Sequence, residues 1–128
     1  MVAYNFSKQF VDRIRDGSKT HTIRKNGKRR HARPGERLQL YTGMRTRGCK
    51  KILDDPLCIR VATVRIEVGT VTIASIEVDD EPVDDLAAFA RDDGFAALAE
   101  MWMFWLVFHG MGTFEGSMIF WSNDGQDT

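Results

Sequence analysis

The stretch "CIRVATVRIEVGTVTIASIEV", Cys58 to Val78, is a dense run of β-forming residues near the middle of the chain. Valine, isoleucine and threonine dominate it, and these β-branched side chains fit the pleated surface of a sheet. Gly69 interrupts the run, which predicts at least two strands on either side of that glycine. A sheet built on this stretch is therefore the centre of the predicted fold.

The segments that flank this stretch predict one short helix and further strands. Phe6, Phe10 and Ile14 recur at helical spacing and Gly17 ends the pattern, which predicts an amphipathic helix over residues 7–16. Three more segments have the composition of strands: "KTHTIR", "RLQLYTG" and "FEGSMIFW".

Two helices are predicted between the central strands and the last strand. The first begins within "DDEPVDDLAAFARDD", where Pro82 suits the first helical position. The second covers residues 95–109 and ends at Gly110, a typical C-terminal cap. Its segment "MWMFWLVF" is apolar on every side, so its side chains are expected in the core or in an interface.

The order of these elements predicts an α+β fold. Too few helices separate the strands for a doubly wound parallel sheet, so a small mixed or antiparallel β-barrel with helices packed on its outside fits better. The chain of 128 residues has the length of one domain, and no linker divides it. We expect a single domain over residues 1–128, in which residues 122–128 form a frayed tail.

Composition is typical of a globular protein in a reducing compartment. Apolar residues make up 43% of the sequence and charged residues 28%. Cys49 and Cys58 offer neither a disulfide framework nor metal-ligand spacing. No signal-peptide pattern is visible, and the longest apolar run, residues 101–108, is too short to span a bilayer. We expect a cytoplasmic protein with no membrane contact and no obligate protein partner.

Charge is divided unevenly along the chain although the formal net charge is zero. Residues 1–51 contain 15 of the 18 Lys and Arg residues but 3 of the 18 Asp and Glu residues, a net charge of +12, and residues 52–128 carry −12. A basic half of this kind indicates a surface that binds an anion, and phosphate is the obvious anion. The alternative is that the two halves neutralise each other across the fold.

Motifs for metals and nucleotide cofactors are missing from the sequence. His21, His31 and His109 lie in three different segments, without the spacing of metal ligands. Neither a dinucleotide-binding glycine motif nor a Walker-type loop is present. We therefore expect no metal and no cofactor.

The segment "GSKTHTIR", Gly17 to Arg24, brings an ammonium, several hydroxyls and a guanidinium close together. A basic loop, "PGERLQL" and the β-rich centre follow it, and later "DDGF" enters the apolar helix. In this order of motifs, residues 3–121 resemble the ASCH domain family, which belongs to the PUA-like superfamily of β-barrels.

The resemblance implies a cleft on a small PUA-like barrel that accepts RNA or a nucleoside. Some ASCH proteins are amidohydrolases that remove the acyl group from the exocyclic nitrogen of cytidine, as in N4-acetylcytidine, and others bind or cleave RNA. The amidohydrolases use a lysine, a threonine and a glutamate. Carried over to this sequence, these roles fall on Lys19, Thr22 and Asp93, and Arg24 matches the arginine of the motif. Hydrolysis of acylated cytidine is the leading hypothesis.

Amide hydrolysis requires chemical groups that Lys19, Thr22 and a carboxylate can supply. It needs a nucleophile, a proton shuttle and a group that stabilises an oxyanion. Thr22 can attack or position a water, and Lys19 can shuttle a proton if burial or nearby cations lower its pKa. Because side chains alternate along a strand, Lys19 and Thr22 share a cleft only if Lys19 lies on a turn that begins at Gly17. Asp93 can orient Lys19 or take the leaving-group proton. Alternatively, it is only the N-cap of a helix that begins at Phe95.

Two basic loops support a second hypothesis, a non-catalytic RNA-binding module whose affinity falls as salt rises. Tyr41, at the end of its strand, and His21, at a strand edge, are expected to contact the substrate together with Arg24. An endoribonuclease that uses His21 or Lys19 is a third hypothesis. The residues expected to bind nucleic acid are Lys25, Lys28, Arg29, Arg30 and Arg33 in the first loop and Arg45, Arg47, Lys50 and Lys51 in the second.

Overall fold

The computed structural model describes residues 2–122, so residues 123–128 of the expected tail lie outside the described residues. The described residues form eight strands, one short 3-10 helix and three α-helices. In chain order these elements are β1 Val2–Phe6, the 3-10 helix Lys8–Phe10, α1 Val11–Arg15, β2 His21–Lys25, β3 Leu38–Thr42, β4 Lys50–Lys51, β5 Cys58–Val68, β6 Ile73–Val78, β7 Glu81–Pro82, α2 Leu86–Asp92, α3 Leu98–Phe108 and β8 Gly112–Trp121.

The larger sheet has the strand order β2-β8-β5-β6-β7, and all of its neighbouring pairs are antiparallel. β5 and β6 are the two strands predicted on either side of Gly69, and they pair from Val64 with Val78 to Val68 with Ile73. β8 pairs with β5 along almost its whole length and with β2 on its other edge. The stretch from Cys58 to Val78 therefore supplies the centre of this sheet, as predicted.

The smaller sheet has the strand order β1-β3-β4. β1 runs parallel to β3, whereas β4 is antiparallel to it. Leu38 and Leu40 of β3 point inward and are completely buried, which matches the alternation predicted for "RLQLYTG". With helices and two mostly antiparallel sheets, the fold is α+β, as predicted.

The two sheets do not close into a barrel within residues 2–122, since neither strand order returns to its first strand. β1 and β2 are in different sheets, and the gap between them is the seam where a closed barrel would have main-chain hydrogen bonds. A side chain makes the connection there instead. The Arg24 guanidinium donates from Nη2 to the carbonyl oxygen of Asn5 over 2.6 Å. It also lies over the rings of Tyr4 and Phe6, at 5.3 and 4.9 Å from their centroids. The closed barrel expected from the order of elements is therefore not observed.

α2 begins later than the sequence suggested. Asp85 is its N-cap, and the Asp85 carboxylate accepts a hydrogen bond from the amide of Ala88 over 2.9 Å. Pro82 belongs to β7 and is paired with Glu77. The prediction that Pro82 opens the helix is wrong, because a carboxylate cap lies three residues further on and an edge strand tolerates proline.

α3 ends as predicted but is not buried on every side. Gly110 has a φ of +97°, and its amide donates to the Trp105 carbonyl to close the last turn. Met101 and Trp105 are buried, whereas Val107 and Phe108 are 71% and 72% exposed. Only one face of α3 packs on the sheets, so the core accounts for part of its apolar side chains, and their expected place in an interface stays a prediction.

Buried apolar side chains from both sheets and from the helices form one hydrophobic cluster. Ile14, Leu40, Ile66 and Met101 are fully buried members from four different elements. Truncating Leu40 to alanine in such a core costs about 2–5 kcal/mol. The cluster therefore holds β2, α2 and α3 in a fixed arrangement, and these three elements carry the site described next.

Candidate active site

Lys19 lies at the end of a turn rather than within a strand. Gly17 has a φ of +86°, which favours glycine, and the amide of Lys19 donates to the carbonyl of Arg13 over 2.9 Å. β2 begins two residues later, at His21. Lys19 and Thr22 therefore line the same cavity, an arrangement that the alternation of a strand would have prevented.

The Lys19 ammonium is bound by two oxygen atoms of Asp93. Nζ donates to the main-chain carbonyl oxygen over 2.6 Å and to Oδ1 over 2.9 Å. Lys19 is 3% exposed and Asp93 is 5% exposed. An ammonium has three N–H groups, so one of them is not used by Asp93. The same group lies 5.0 Å from the centroid of the Phe10 ring.

Asp93 is positioned by the end of α2. It is the C-cap of that helix, and its amide donates to the carbonyl of Phe89 over 2.9 Å. Gly94 then turns the chain with a φ of +101°, and α3 has Ala97 as its N-cap. The interpretation of Asp93 as the N-cap of a helix beginning at Phe95 is therefore wrong. Its carboxylate instead points to the Lys19 ammonium.

His21 contacts Asp93 but does not reach the cavity. Nε2 lies 3.0 Å from Asp93 Oδ1, without the alignment of a hydrogen bond. The ring is buried between Phe89 and Phe120, with centroids 6.0 and 5.5 Å away. His21 is not among the described residues that line the cavity. His21 is therefore not on the cavity wall where its substrate contact was expected, because Phe89 of α2 packs against its ring.

Burial and charge shift the pKa values of both members of the pair. Burial lowers the pKa of Lys19 below its usual range, and the attraction of Asp93 opposes this shift without cancelling it. Burial acts to raise the pKa of Asp93, but the Lys19 charge and the contact with His21 outweigh it and hold this pKa below its ordinary value. Lys19 consequently loses its proton more easily than a solvated lysine does.

Arg24 orients the Thr22 hydroxyl. Both residues point to one face of β2, and Arg24 Nε donates to Thr22 Oγ1 over 3.0 Å. Thr22 is 4% exposed. Because the donor is a cation, the bond favours negative charge on Oγ1 and leaves the hydroxyl proton available for transfer. Arg24, expected to bind substrate, therefore also connects Thr22 to the seam between β1 and β2.

Lys19, Thr22, Arg24 and Asp93 line a cavity of about 530 Å³. This volume is within the range of sites for small molecules. Aromatic side chains form much of the lining, and this aromatic wall consists of Phe6, Phe10, Phe95, Phe104, Trp105, Phe108 and Phe114. The sequence assigned the aromatic side chains of α3 to the core or an interface. The sequence does contain a signal that some of them line a cavity. Apolar residues lie all around this helix, and a single packed face cannot bury all of them.

Tyr41 lies outside this cavity. It is on β3 in the smaller sheet, where it pairs with Asn5 and with Lys51 of the neighbouring strands. The Lys51 ammonium lies 5.9 Å from the centroid of its ring. Tyr41 is not among the described lining residues, so its predicted position in the cleft is wrong. The strand was predicted correctly, but the sequence does not show which sheet it joins.

The predicted nucleic-acid-binding residues are mostly exposed and unpaired. Arg30 is bound by Glu36 through two hydrogen bonds of 2.7 Å, and Lys51 lies 2.9 Å from Asp55. Within residues 2–122, Lys19–Asp93 and Lys51–Asp55 are the only Lys or Arg ion pairs that join the basic segment 1–51 to the acidic remainder. Contact between the two halves therefore neutralises only a small part of their charge. The other residues of the set, all exposed, are Lys25, Lys28, Arg29, Arg33, Arg45, Arg47 and Lys50.

Residues 2–122 contain no group of three or more His, Cys, Asp or Glu side chains that could hold a metal ion. Cys49 and Cys58 are free. No helix of residues 2–122 combines the length and the apolar character needed to cross a bilayer. The chain matches no protein-family model, no curated protein and no solved structure.

Proposed function

We propose that the protein is an amidohydrolase that removes the acyl group from the exocyclic nitrogen of cytidine, as in N4-acetylcytidine. The observation that carries the proposal is the buried Lys19–Asp93 pair in a cavity that Thr22 also lines. A lysine whose pKa is lowered by burial can act as a base closer to neutral pH than a solvated lysine can.

In the first step, neutral Lys19 is the general base. It accepts a proton from the attacking oxygen, which belongs either to Thr22 or to a water that Thr22 positions. That oxygen forms a bond to the acyl carbon, and the electrons of the C=O π bond move onto the carbonyl oxygen. The Arg24 guanidinium, bound to Thr22 Oγ1, provides positive charge beside the developing oxyanion.

In the second step, the Lys19 ammonium returns the proton to the exocyclic nitrogen. The C–N bond breaks, the oxyanion collapses to a carbonyl, and cytidine leaves with its free amine. Attack by water gives the carboxylic acid directly, whereas attack by Thr22 gives an ester that one water molecule then hydrolyses to the acid and free Thr22. Asp93 holds the ammonium in place and balances its charge while Lys19 is protonated.

The aromatic wall suits a pyrimidine ligand. Phe10, Phe95 and Phe104 contact one another with ring centroids 5.3–5.7 Å apart, so they present a rigid apolar surface. A flat base can pack against such rings. By excluding water, the same surface strengthens the electrostatic effects of Lys19 and Arg24 on the reacting group.

The resemblance of the sequence to ASCH domains supports the same conclusion. The three residues assigned through it, Lys19, Thr22 and Asp93, come from separate elements and all line one cavity. We infer a PUA-like arrangement for the two sheets, in which the Arg24 side chain occupies the seam where a closed barrel has a main-chain ladder.

Hydrolysis of N4-acetylcytidine tests the proposal directly. Purified protein is incubated with this nucleoside, and free cytidine is measured by chromatography. We expect release well above the buffer control, and a loss of about 100-fold or more in Lys19→Met, as for removal of a general base. Asp92→Asn, which alters the exposed neighbour of Asp93, is the control and keeps the wild-type rate. No release above buffer, or full activity of Lys19→Met, refutes the proposal.

A second candidate function is RNA binding without catalysis. The observation that favours it is the basic surface of residues 1–51, which the acidic half leaves almost free of ion pairs. RNA affinity that falls steeply with salt supports this candidate, and an affinity independent of salt excludes it. The hypothesis of RNA cleavage has less support, because His21, one of the two residues expected to act as its base, is buried and contacts Asp93.

A further inference from the structure

The cavity of the candidate active site carries positive charge that an acylated cytidine does not use. Within residues 2–122 its lining contains three Lys or Arg residues, Lys19, Arg24 and Lys25, one acid, Asp93, and one histidine, His109. Lys19 and Asp93 compensate each other as a buried pair. Arg24 and Lys25 remain, whereas an acylated cytidine has no charge at neutral pH. The surplus therefore indicates a ligand with an anionic group.

The two surplus cations are consecutive at the end of the edge strand β2, so their side chains leave the strand on opposite faces and line the cavity from either side of this edge. Lys25 is exposed and forms no ion pair within residues 2–122. The Arg24 guanidinium has five N–H groups, and its bonds to Thr22 and Asn5 use two of them. Both cations therefore retain donors for a ligand in the cavity.

Neutral hydrogen-bond donors complete this side of the cavity. Asn5 adjoins Arg24, since its carbonyl accepts the Arg24 bond, and its Oδ1 accepts from the amide of Met44 over 3.0 Å. The NH₂ group of Asn5 is thus left as a donor. Ser7 adds an exposed hydroxyl to the lining. Two cations with neutral donors and no uncompensated acid form an environment that suits a phosphate.

We propose that the substrate is phosphorylated, and that Lys25 and Arg24 bind its phosphate while the acylated base lies at Lys19. This inference rests on the proposed function. Lys25 follows Thr22 by three residues, so their Cα atoms lie about 10 Å apart along the strand. That length is comparable with the separation of the exocyclic nitrogen from the 5′-phosphate in a cytidine nucleotide. The phosphate belongs either to a free nucleotide or to an oligonucleotide.

Calorimetric titration with unacylated compounds tests the inference without relying on catalysis. Cytidine, cytidine 5′-monophosphate and a short cytidine oligonucleotide are each titrated into the full-length protein. We expect the monophosphate to bind about tenfold more tightly than cytidine, as one charged hydrogen-bonded contact provides. Lys25→Gln should reduce this preference, because Arg24 alone then binds the phosphate. Arg91→Gln removes one exposed positive charge on α2, outside the cavity, and should retain it.

The outcomes separate the two sources of phosphate and the two proposals. A much higher affinity for the oligonucleotide than for the monophosphate assigns the phosphate to a polynucleotide, and equal affinities assign it to a nucleotide. Equal binding of cytidine and the monophosphate, or an undiminished preference in Lys25→Gln, overturns the inference. Hydrolysis of N4-acetylcytidine with no phosphate preference overturns only the inference. A phosphate preference without any hydrolysis overturns only the amidohydrolase.

Discussion

Asp93 binds the Lys19 ammonium twice, through its main-chain carbonyl oxygen at 2.6 Å and through Oδ1 at 2.9 Å. One residue at the end of α2 therefore holds a lysine that lies 74 positions earlier in the sequence. The carbonyl belongs to a helix C-terminus, where the partial negative charge of the helix favours a cation. This contact connects the turn before β2 to α2 and fixes the lysine on which the proposed chemistry depends.

Removal of the Asp93 carboxylate should destabilise the protein strongly. Asp93→Ala leaves the buried Lys19 ammonium without its counter-ion, and such a change costs about 3–5 kcal/mol. The free energy of unfolding in urea measures this cost. Asp92→Ala, at the exposed neighbouring position, should stay within about 0.5 kcal/mol of wild type.

A double variant separates loss of the ion pair from loss of packing. Lys19→Met combined with Asp93→Ala removes both charges, so it should be more stable than Asp93→Ala alone. If the double variant is instead destabilised by the sum of the two single changes, the residues are not energetically coupled.

The dependence of stability on pH should report the lowered pKa of Lys19. Burial lowers this pKa in the folded protein, so between the folded value and the ordinary lysine pKa of 10.5 the unfolded chain binds more protons. The stability of wild type relative to Lys19→Met should therefore increase as pH rises through that window. Urea unfolding at a series of alkaline pH values measures the difference. Identical pH profiles for the two proteins would show that the Lys19 pKa is not lowered.

The pKa of Asp93 has the opposite consequence at acid pH. This pKa is lower in the folded protein than the ordinary aspartate value of 3.8, so the stabilisation from this carboxylate is complete above pH 3.8. It is lost as pH falls through the folded pKa. Asp93→Asn should therefore show a weaker decrease of stability below pH 3.8 than wild type does. An unchanged acid profile would contradict the paired carboxylate.

Gly94→Ala should damage the site more than its backbone conformation alone explains. A Cβ at this position would lie 2.9 Å from Phe10 Cδ1 and 3.0 Å from Lys19 Cδ. Such overpacking costs about 1–3 kcal/mol and displaces the lysine stem. Gly110→Ala is a matched control, because Gly110 has a similar φ of +97° but no atom within 4 Å of the added Cβ. Thermal unfolding of both variants should show the larger loss for Gly94→Ala, and equal losses would rule out the contact with Lys19.

Arg24→Lys should slow the reaction although it preserves the charge. Lysine lacks the planar fork that donates to Thr22 and Asn5 together, so Thr22 loses its orientation. We expect kcat with N4-acetylcytidine to fall about tenfold, which corresponds to one lost charged hydrogen bond. Arg65→Lys, at an exposed position on β5, is the control. A wild-type kcat for Arg24→Lys would mean that Arg24 does not position Thr22.

Elements defined by local patterns were predictable from the sequence. β5 and β6 follow from β-branched residues on either side of Gly69, and the turn that places Lys19 follows from Gly17. Features that depend on contacts between distant segments could not be predicted from the sequence. The burial of His21 requires α2 to pack over it, and no pattern within "KTHTIR" specifies that contact. An apolar helix such as α3 likewise does not indicate which of its faces meets the sheets.

Turnover of N4-acetylcytidine by Lys19→Arg is the most direct test of the role of Lys19. Arginine keeps the positive charge but cannot lose its proton near neutral pH, so the variant removes the base and retains the cation. Lys8→Arg makes the same exchange at an exposed position of the 3-10 helix that is not among the described residues lining the cavity. We expect Lys19→Arg to lose about 100- to 10,000-fold in kcat and Lys8→Arg to match wild type. Wild-type turnover by Lys19→Arg would contradict the assignment of Lys19 as the catalytic base.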